Sequence, residues 1–187
     1  MPPKVRITKE DIIHTAVEIV RRDGTGAINA RVIAKELNCS TQPVFSNFAT
    51  MEDLRYAVVA AADALYQEYI NREIETENYP AYKATGMAYI RFAKEEKELF
   101  KLLFMRDRSA ELVQPETEEM EKIYDIVQTS TGFGGDKVKM FHLEMWAYVH
   151  GIATMMATGY LELDTELVSE MMTDAYQGMK NRYKAKE

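Results

Sequence analysis

Residues 29–48 read "NARVIAKELNCSTQPVFSNF". The first half has the spacing of a short amphipathic helix, with Ile33, Ala34 and Leu37 on one side. Asn29 is suited to cap its start, and Ile28 and Ile33 have the spacing of a hydrophobic staple across that cap. A hitch at Asn38, Cys39 and Ser40 follows, where asparagine suits a left-handed turn. If Ser40 caps the next segment, Pro43 falls in its first turn, where a missing amide hydrogen costs little. Val44 and Phe48, four apart, then point inward, and Thr41, Gln42, Phe45 and Ser46 are left outward. Two short helices, a tight turn and a small Ala34 where they cross predict a helix-turn-helix, whose outward row can enter a DNA major groove.

Upstream, Thr8 and Asp11 have capping-box spacing, Ile12, Ala16, Ile19 and Val20 form one apolar stripe, and Gly24 supplies a stop. Downstream, Leu54, Val58, Ala61, Leu65 and Tyr69 predict a long helix from Thr50 to about Glu77, roughly 40 Å at 1.5 Å per residue. "NYP" at 78–80 breaks it. Helical segments follow at Ala81–Glu95, 97–105, from Pro115 to about Thr131, at about Asp136–Leu161 and at about Thr165–Tyr183, with a polar loop at Arg106–Gln114. Alternation of the β type is absent. The expected fold is all-α with about nine helices: a three-helix helix-turn-helix domain at 1–49, then a larger helical domain at 50–187.

The chain has 187 residues, 47% of them hydrophobic, enough for a core, and one cysteine, so no internal disulfide. No apolar run approaches the roughly 20 residues that span a bilayer, and the N-terminus lacks the apolar centre of a signal peptide. These features predict a soluble cytoplasmic protein without a membrane partner. Net charge is -7. Residues 1–48 nevertheless hold seven basic residues (Lys4, Arg6, Lys9, Arg21, Arg22, Arg31, Lys35) and five acidic ones, a net of +2 that leaves -9 for the remainder. Only the N-terminal piece is electrostatically suited to phosphates.

With its neighbours included, the segment 8–54 resembles the DNA-binding domain of the TetR family of bacterial transcriptional regulators: "IIHTAVEIVRRDG", a short link, "NARVIAKELNCS", "PVFSNF" and "TMEDL" in order. "WAYVHGIATMMATGYL" at 146–161 is similar to the Trp-x-x-x-His-Gly pattern of one TetR subgroup. The resemblance implies a DNA-binding regulator, a repressor rather than an activator. It would bind a palindromic double-stranded operator as a homodimer and be released by a small-molecule effector. Two departures stand out. Phe45 and Met51 occupy positions where many members place Tyr and Lys, and each lost phosphate contact should flatten the salt slope of binding by about one unit.

Candidate DNA-binding residues are Arg31, Ser40, Thr41, Gln42, Phe45, Ser46, Asn47 and Thr50. Glutamine can pair bidentately with adenine, and threonine can use its hydroxyl or methyl. Phe45 has two open readings, contact with a thymine methyl or sugar and packing against Phe48. Lys4 and Arg6 form a basic arm that can follow a groove. Backbone amides at the start of the long helix, capped by Thr50, offer a phosphate contact. The family resemblance implies a cavity among the middle helices, with Phe92, Phe100, Phe104, Tyr124, Met145 and Tyr148 as candidate lining for an effector of apolar character. It also implies pairing of the last two helices with those of a second copy. Trp146, Val149, Ala153, Met156, Met171, Met172, Ala175, Tyr176 and Met179 are the candidate dimerisation residues.

No metal or cofactor is expected, because His14, His142 and His150 form no ligand spacing with Cys39. Two other classes compete with a regulator. One is an all-α enzyme using His142 or His150 with Glu144 or Glu162, although no nucleophile, phosphate loop or metal motif accompanies them. The other is a helical adaptor whose N-terminal unit binds protein.

Overall fold

The computed structural model describes residues 7–107 and 118–185, and these are all-helical, with no strand among them. The α-helices are α1 (Lys9–Asp23), α2 (Ala30–Glu36), α3 (Gln42–Asn47), α4 (Met51–Glu75), α5 (Ala81–Glu95), α6 (Lys97–Phe104), α7 (Glu118–Thr131), α8 (Asp136–Ala157) and α9 (Thr165–Lys184). Lys4, Arg6 and Pro115 lie outside the described residues.

Local chemistry sets most of the boundaries. The Thr8 hydroxyl accepts from the Asp11 amide at 3.1 Å while the Asp11 carboxylate accepts from the Thr8 amide at 2.8 Å, a reciprocal capping box. The bond from the Thr8 amide is the main reason the Asp11 carboxyl titrates below its ordinary range. Asn29 Oδ1 caps α2 by accepting from the Arg31 and Val32 amides at 3.1 and 3.0 Å. At the other end of α2, Asn38 is left-handed with φ 50°. Its amide bonds Lys35 O at 3.1 Å, and the Cys39 amide bonds Ala34 O at 2.9 Å. That pair of bonds is a Schellman turn, and it reverses the chain into α3.

The same motif ends α8 earlier than the apolar pattern suggests. Gly159 is left-handed at φ 71°, with its amide on Met156 O at 3.1 Å and the Tyr160 amide on Met155 O at 2.9 Å. The helix therefore closes at Ala157 and leaves Tyr160 and Leu161 exposed.

The chain divides into two compact units. One is drawn from Met1–Tyr66 and Glu96–Arg106, the other from Gln67–Glu95 and Asp107–Glu187. In the first, Ile12, Ala16, Ile19, Val20, Ile28, Ile33, Ala34, Val44, Phe48, Leu54 and Val58 are buried, as are Leu99 and Phe100 of α6. Arg21 of α1 holds the start of α6 through two bonds to the Glu96 carboxylate, at 2.8 and 2.9 Å. In the second unit the core is aromatic. Tyr82, Val127, Phe133, Val138, Phe141 and Met145 form a buried cluster, flanked by Tyr124, Tyr176 and Tyr183. The continuous helix α4 contributes residues to both units. No helix of the described residues is long and apolar enough to cross a membrane.

Candidate nucleic-acid interface

Helix α3 begins at Gln42, one residue later than a Ser40 cap requires. Thr41 is the N-cap; its carbonyl accepts from the Val44 and Phe45 amides at 3.1 and 3.4 Å, but its side chain makes no capping bond. Ser40 lies outside the helix, exposed, with its carbonyl accepting from Cys39 Sγ at 3.1 Å. Pro43 sits in the first turn, where no intrahelical amide is missed. The helix is held by two inward side chains, Val44 and Phe48, both buried.

The opposite face is open. Gln42, Phe45 and Ser46 are exposed, Thr41 and Asn47 are half-buried, and Phe45 leaves 56% of its surface in water. The Ser46 hydroxyl donates back to Gln42 O at 2.9 Å, and Asn47 Nδ2 donates back to Pro43 O at 2.8 Å. Such i to i−4 back-bonding is a known habit of short polar side chains in helices, and it commits their hydrogens locally. From Leu37 to Met51 there is no charged residue. Arg31 is exposed on α2.

Thr50 caps α4 through a second reciprocal box. Its hydroxyl oxygen accepts from the Asp53 amide at 3.0 Å, and Asp53 Oδ2 accepts from the Thr50 amide at 2.9 Å and from the Thr50 hydroxyl at 2.8 Å. Glu52 and Asp53 also place negative charge on this first turn. Thr50 is exposed, but its own donors are already used.

On α8 and α9 the residues named for dimerisation divide. Val149, Ala153, Met156 and Met172 are buried within the chain. Met171, Ala175, Tyr176 and Met179 are half-buried, and Trp146 is exposed. The Tyr176 hydroxyl donates to Ser130 O at 2.8 Å, so this ring ties α9 to the end of α7. The outward side of α8 instead carries Met140, Leu143, Trp146 and Ala147. A Cβ built at Gly151 or Gly178 would meet nothing within 4 Å. Gly178 also lines an open groove of about 540 Å³ with Glu144, Ala147, Tyr148, Met179 and Arg182, and Arg182 pairs with Glu144 there.

The six aromatic and methionine residues named for an effector also divide. Phe100 and Phe104 pack in the first unit with their rings tilted at 47° and 5.2 Å apart, and Tyr66 lies edge-on to Phe104 at 5.3 Å. Phe92, Tyr124, Met145 and Tyr148 belong to the second unit. Phe92 is buried against Tyr69 at 5.3 Å, and Met145 is buried in the aromatic cluster.

His142 and His150 meet tyrosines of α5. The Tyr82 hydroxyl lies 3.1 Å from His142 Nδ1, and the Tyr89 hydroxyl 2.7 Å from His150 Nδ1. Burial lowers the pKa of both imidazoles, which favours their neutral forms. Glu144 is engaged by Arg182, and the described residues contain no cluster of His, Cys, Asp or Glu able to hold a metal.

Residues 82–176 match the family described as Tetracyclin repressor-like, C-terminal domain. An uncharacterized HTH-type transcriptional regulator of Bacillus subtilis (strain 168), YobS, is 18% identical over 175 residues, covering 91% of this chain and 90% of that protein. A TetR-like transcriptional regulator from Rhodococcus sp. RHA1 shares the fold at 12% identity, with a TM-score of 0.68 and full coverage of both chains. So does the multidrug binding protein EbrR complexed with malachite green, at 17% identity and a TM-score of 0.63, covering 92% of this chain and 98% of that one.

Proposed function

The chain belongs to the TetR family of transcriptional regulators, and from this we propose that it is a homodimeric repressor that binds a palindromic DNA operator through α3 and is released by a small molecule. The observation that carries the reading is the division of α3, with Val44 and Phe48 sealed inside, Gln42, Phe45 and Ser46 turned to solvent, and Thr41 half-buried at its start. Each protomer puts this face into one major groove. A twofold dimer then reads half-sites about one helical turn apart. Arg31 supplies a cation beside the groove. The DNA-binding part is 1–49 and the ligand-binding and dimerisation part is 50–187.

Dimerisation uses the outward side of α8 with α9. The open positions at Gly151 and Gly178 favour this, since they let a partner helix approach closely beside Leu143 and Trp146. The effector site lies in the second unit, where Phe92, Tyr124, Met145 and Tyr148 offer aromatic and thioether surface to an apolar ligand. The ligand complex of the EbrR neighbour supports a small-molecule site in this fold. Helix α4, shared by both units, carries the signal. Release requires an effector with unequal affinity for the DNA-bound and free spacings of the two recognition helices.

The test is retention of the purified chain on random duplex DNA, with its mass in solution. The expected result is salt-sensitive retention and a mass twice 21.5 kDa. A helical adaptor would pass through the DNA column at every salt concentration.

A further inference from the structure

Resting on the DNA-binding reading, we infer that Phe45 and Gln42 make this protein a reader of thymine and adenine in its operator half-site, Phe45 by contact with a thymine C5-methyl and Gln42 by pairing with a nearby adenine.

Guanine is most often read by Arg or Lys on its O6 and N7, and no such residue lies anywhere from Leu37 to Met51. Hydrogen-bond donors come next. Ser46 has spent its hydroxyl hydrogen on Gln42 O and Asn47 has committed an amide hydrogen to Pro43 O, and Asn47 is also half-buried. Beside the half-buried Thr41 hydroxyl, the fully exposed groups this face still offers are the carboxamide of Gln42, with donor and acceptor side by side, and the ring of Phe45.

Those two groups match two features of the major groove. Adenine presents a donor and an acceptor on N6 and N7, which a carboxamide satisfies together, and the thymine methyl is the apolar feature of that groove. Gln42 and Phe45 are three apart on one helix, so their Cβ atoms are about 5–6 Å from each other. Successive base pairs rise by about 3.4 Å. The two side chains therefore span one to two base steps. A phenylalanine left 56% in water on the surface meant for DNA gains by covering a methyl, and it has no hydroxyl with which to hold a phosphate.

The test first selects an operator from a random duplex library with the full-length protein. Each thymine of the selected half-site is then replaced by uracil, which pairs identically and lacks only the methyl. Wild type is expected to lose about fourfold in affinity per half-site at one such thymine, the worth of one buried methyl group. Phe45→Ala, with unchanged melting because the ring is mostly exposed, should bind the thymine duplex more weakly and respond to uracil at that position not at all. Uracil tolerated by wild type at every thymine overturns the inference and leaves the DNA-binding reading standing. A selection that enriches no sequence overturns both.

Discussion

The Tyr89 hydroxyl and His150 Nδ1 lie 2.7 Å apart across α5 and α8, and Trp146, one turn earlier on α8, stacks on the same imidazole at 4.9 Å and 20°. Seven residues before Tyr89, Tyr82 makes the same kind of contact with His142. The two pairs join one helix interface at two levels. Tyr124 adds an edge-on contact to His142 at 5.9 Å, and Lys139 lies over the Tyr124 ring at 5.6 Å.

Burial depresses the pKa of both histidines below the ordinary 6.5, so the unfolded chain binds protons that the folded one refuses. Their contribution to stability is complete above the unfolded value and lost as pH falls through it toward the folded values. Melting followed by circular dichroism should therefore fall between pH 7.5 and 5.5. The loss should be smaller in a His142→Gln, His150→Gln double variant. An equal loss in both proteins would place the acid sensitivity elsewhere.

Glu73 of α4 is 1% exposed, and its Oε2 lies 2.6 Å from Arg91 Nη1 of α5. Among the described residues that oxygen makes no hydrogen bond, so the contact is an ion pair. Removing the cation by Arg91→Ala strands a buried charge and should cost about 3 kcal/mol, the low end for such a loss because Arg91 is partly exposed. Urea unfolding measures it. A Glu73→Leu, Arg91→Met double variant should recover most of that stability.

Gly151 has open space where a Cβ would point. Gly151→Phe should leave helicity intact yet shift the mass measured by light scattering from dimer to monomer. A dimer that survives this substitution would move the interface off this side of α8.

The elements whose signals are local were readable from the residues alone. Thr8 with Asp11, Asn29 before α2 and left-handed Asn38 all act within a few residues of themselves, so spacing suffices to place them. The inward pair Val44 and Phe48 follows from the same rule. Ser40 gives the wrong start because the first bonds of α3 run to the Thr41 carbonyl, one residue further on, a shift that residue type does not signal. A helix apolar on two sides, such as α8, does not tell which side meets its own chain. Val149, Ala153 and Met156 are buried within the chain, while Leu143, on the other side, is 53% exposed. The Glu73–Arg91 pair and the tie from Tyr176 to Ser130 join residues far apart in sequence, and no periodicity announces them.

Binding of the selected operator by a Thr41→Ala, Gln42→Ala double variant tests the central claim most directly. Sequence-specific affinity should disappear while the melting temperature and the dimer mass stay as in the wild type, because Gln42 is exposed and the half-buried Thr41 side chain makes no capping bond. Undiminished operator binding by that variant would contradict it.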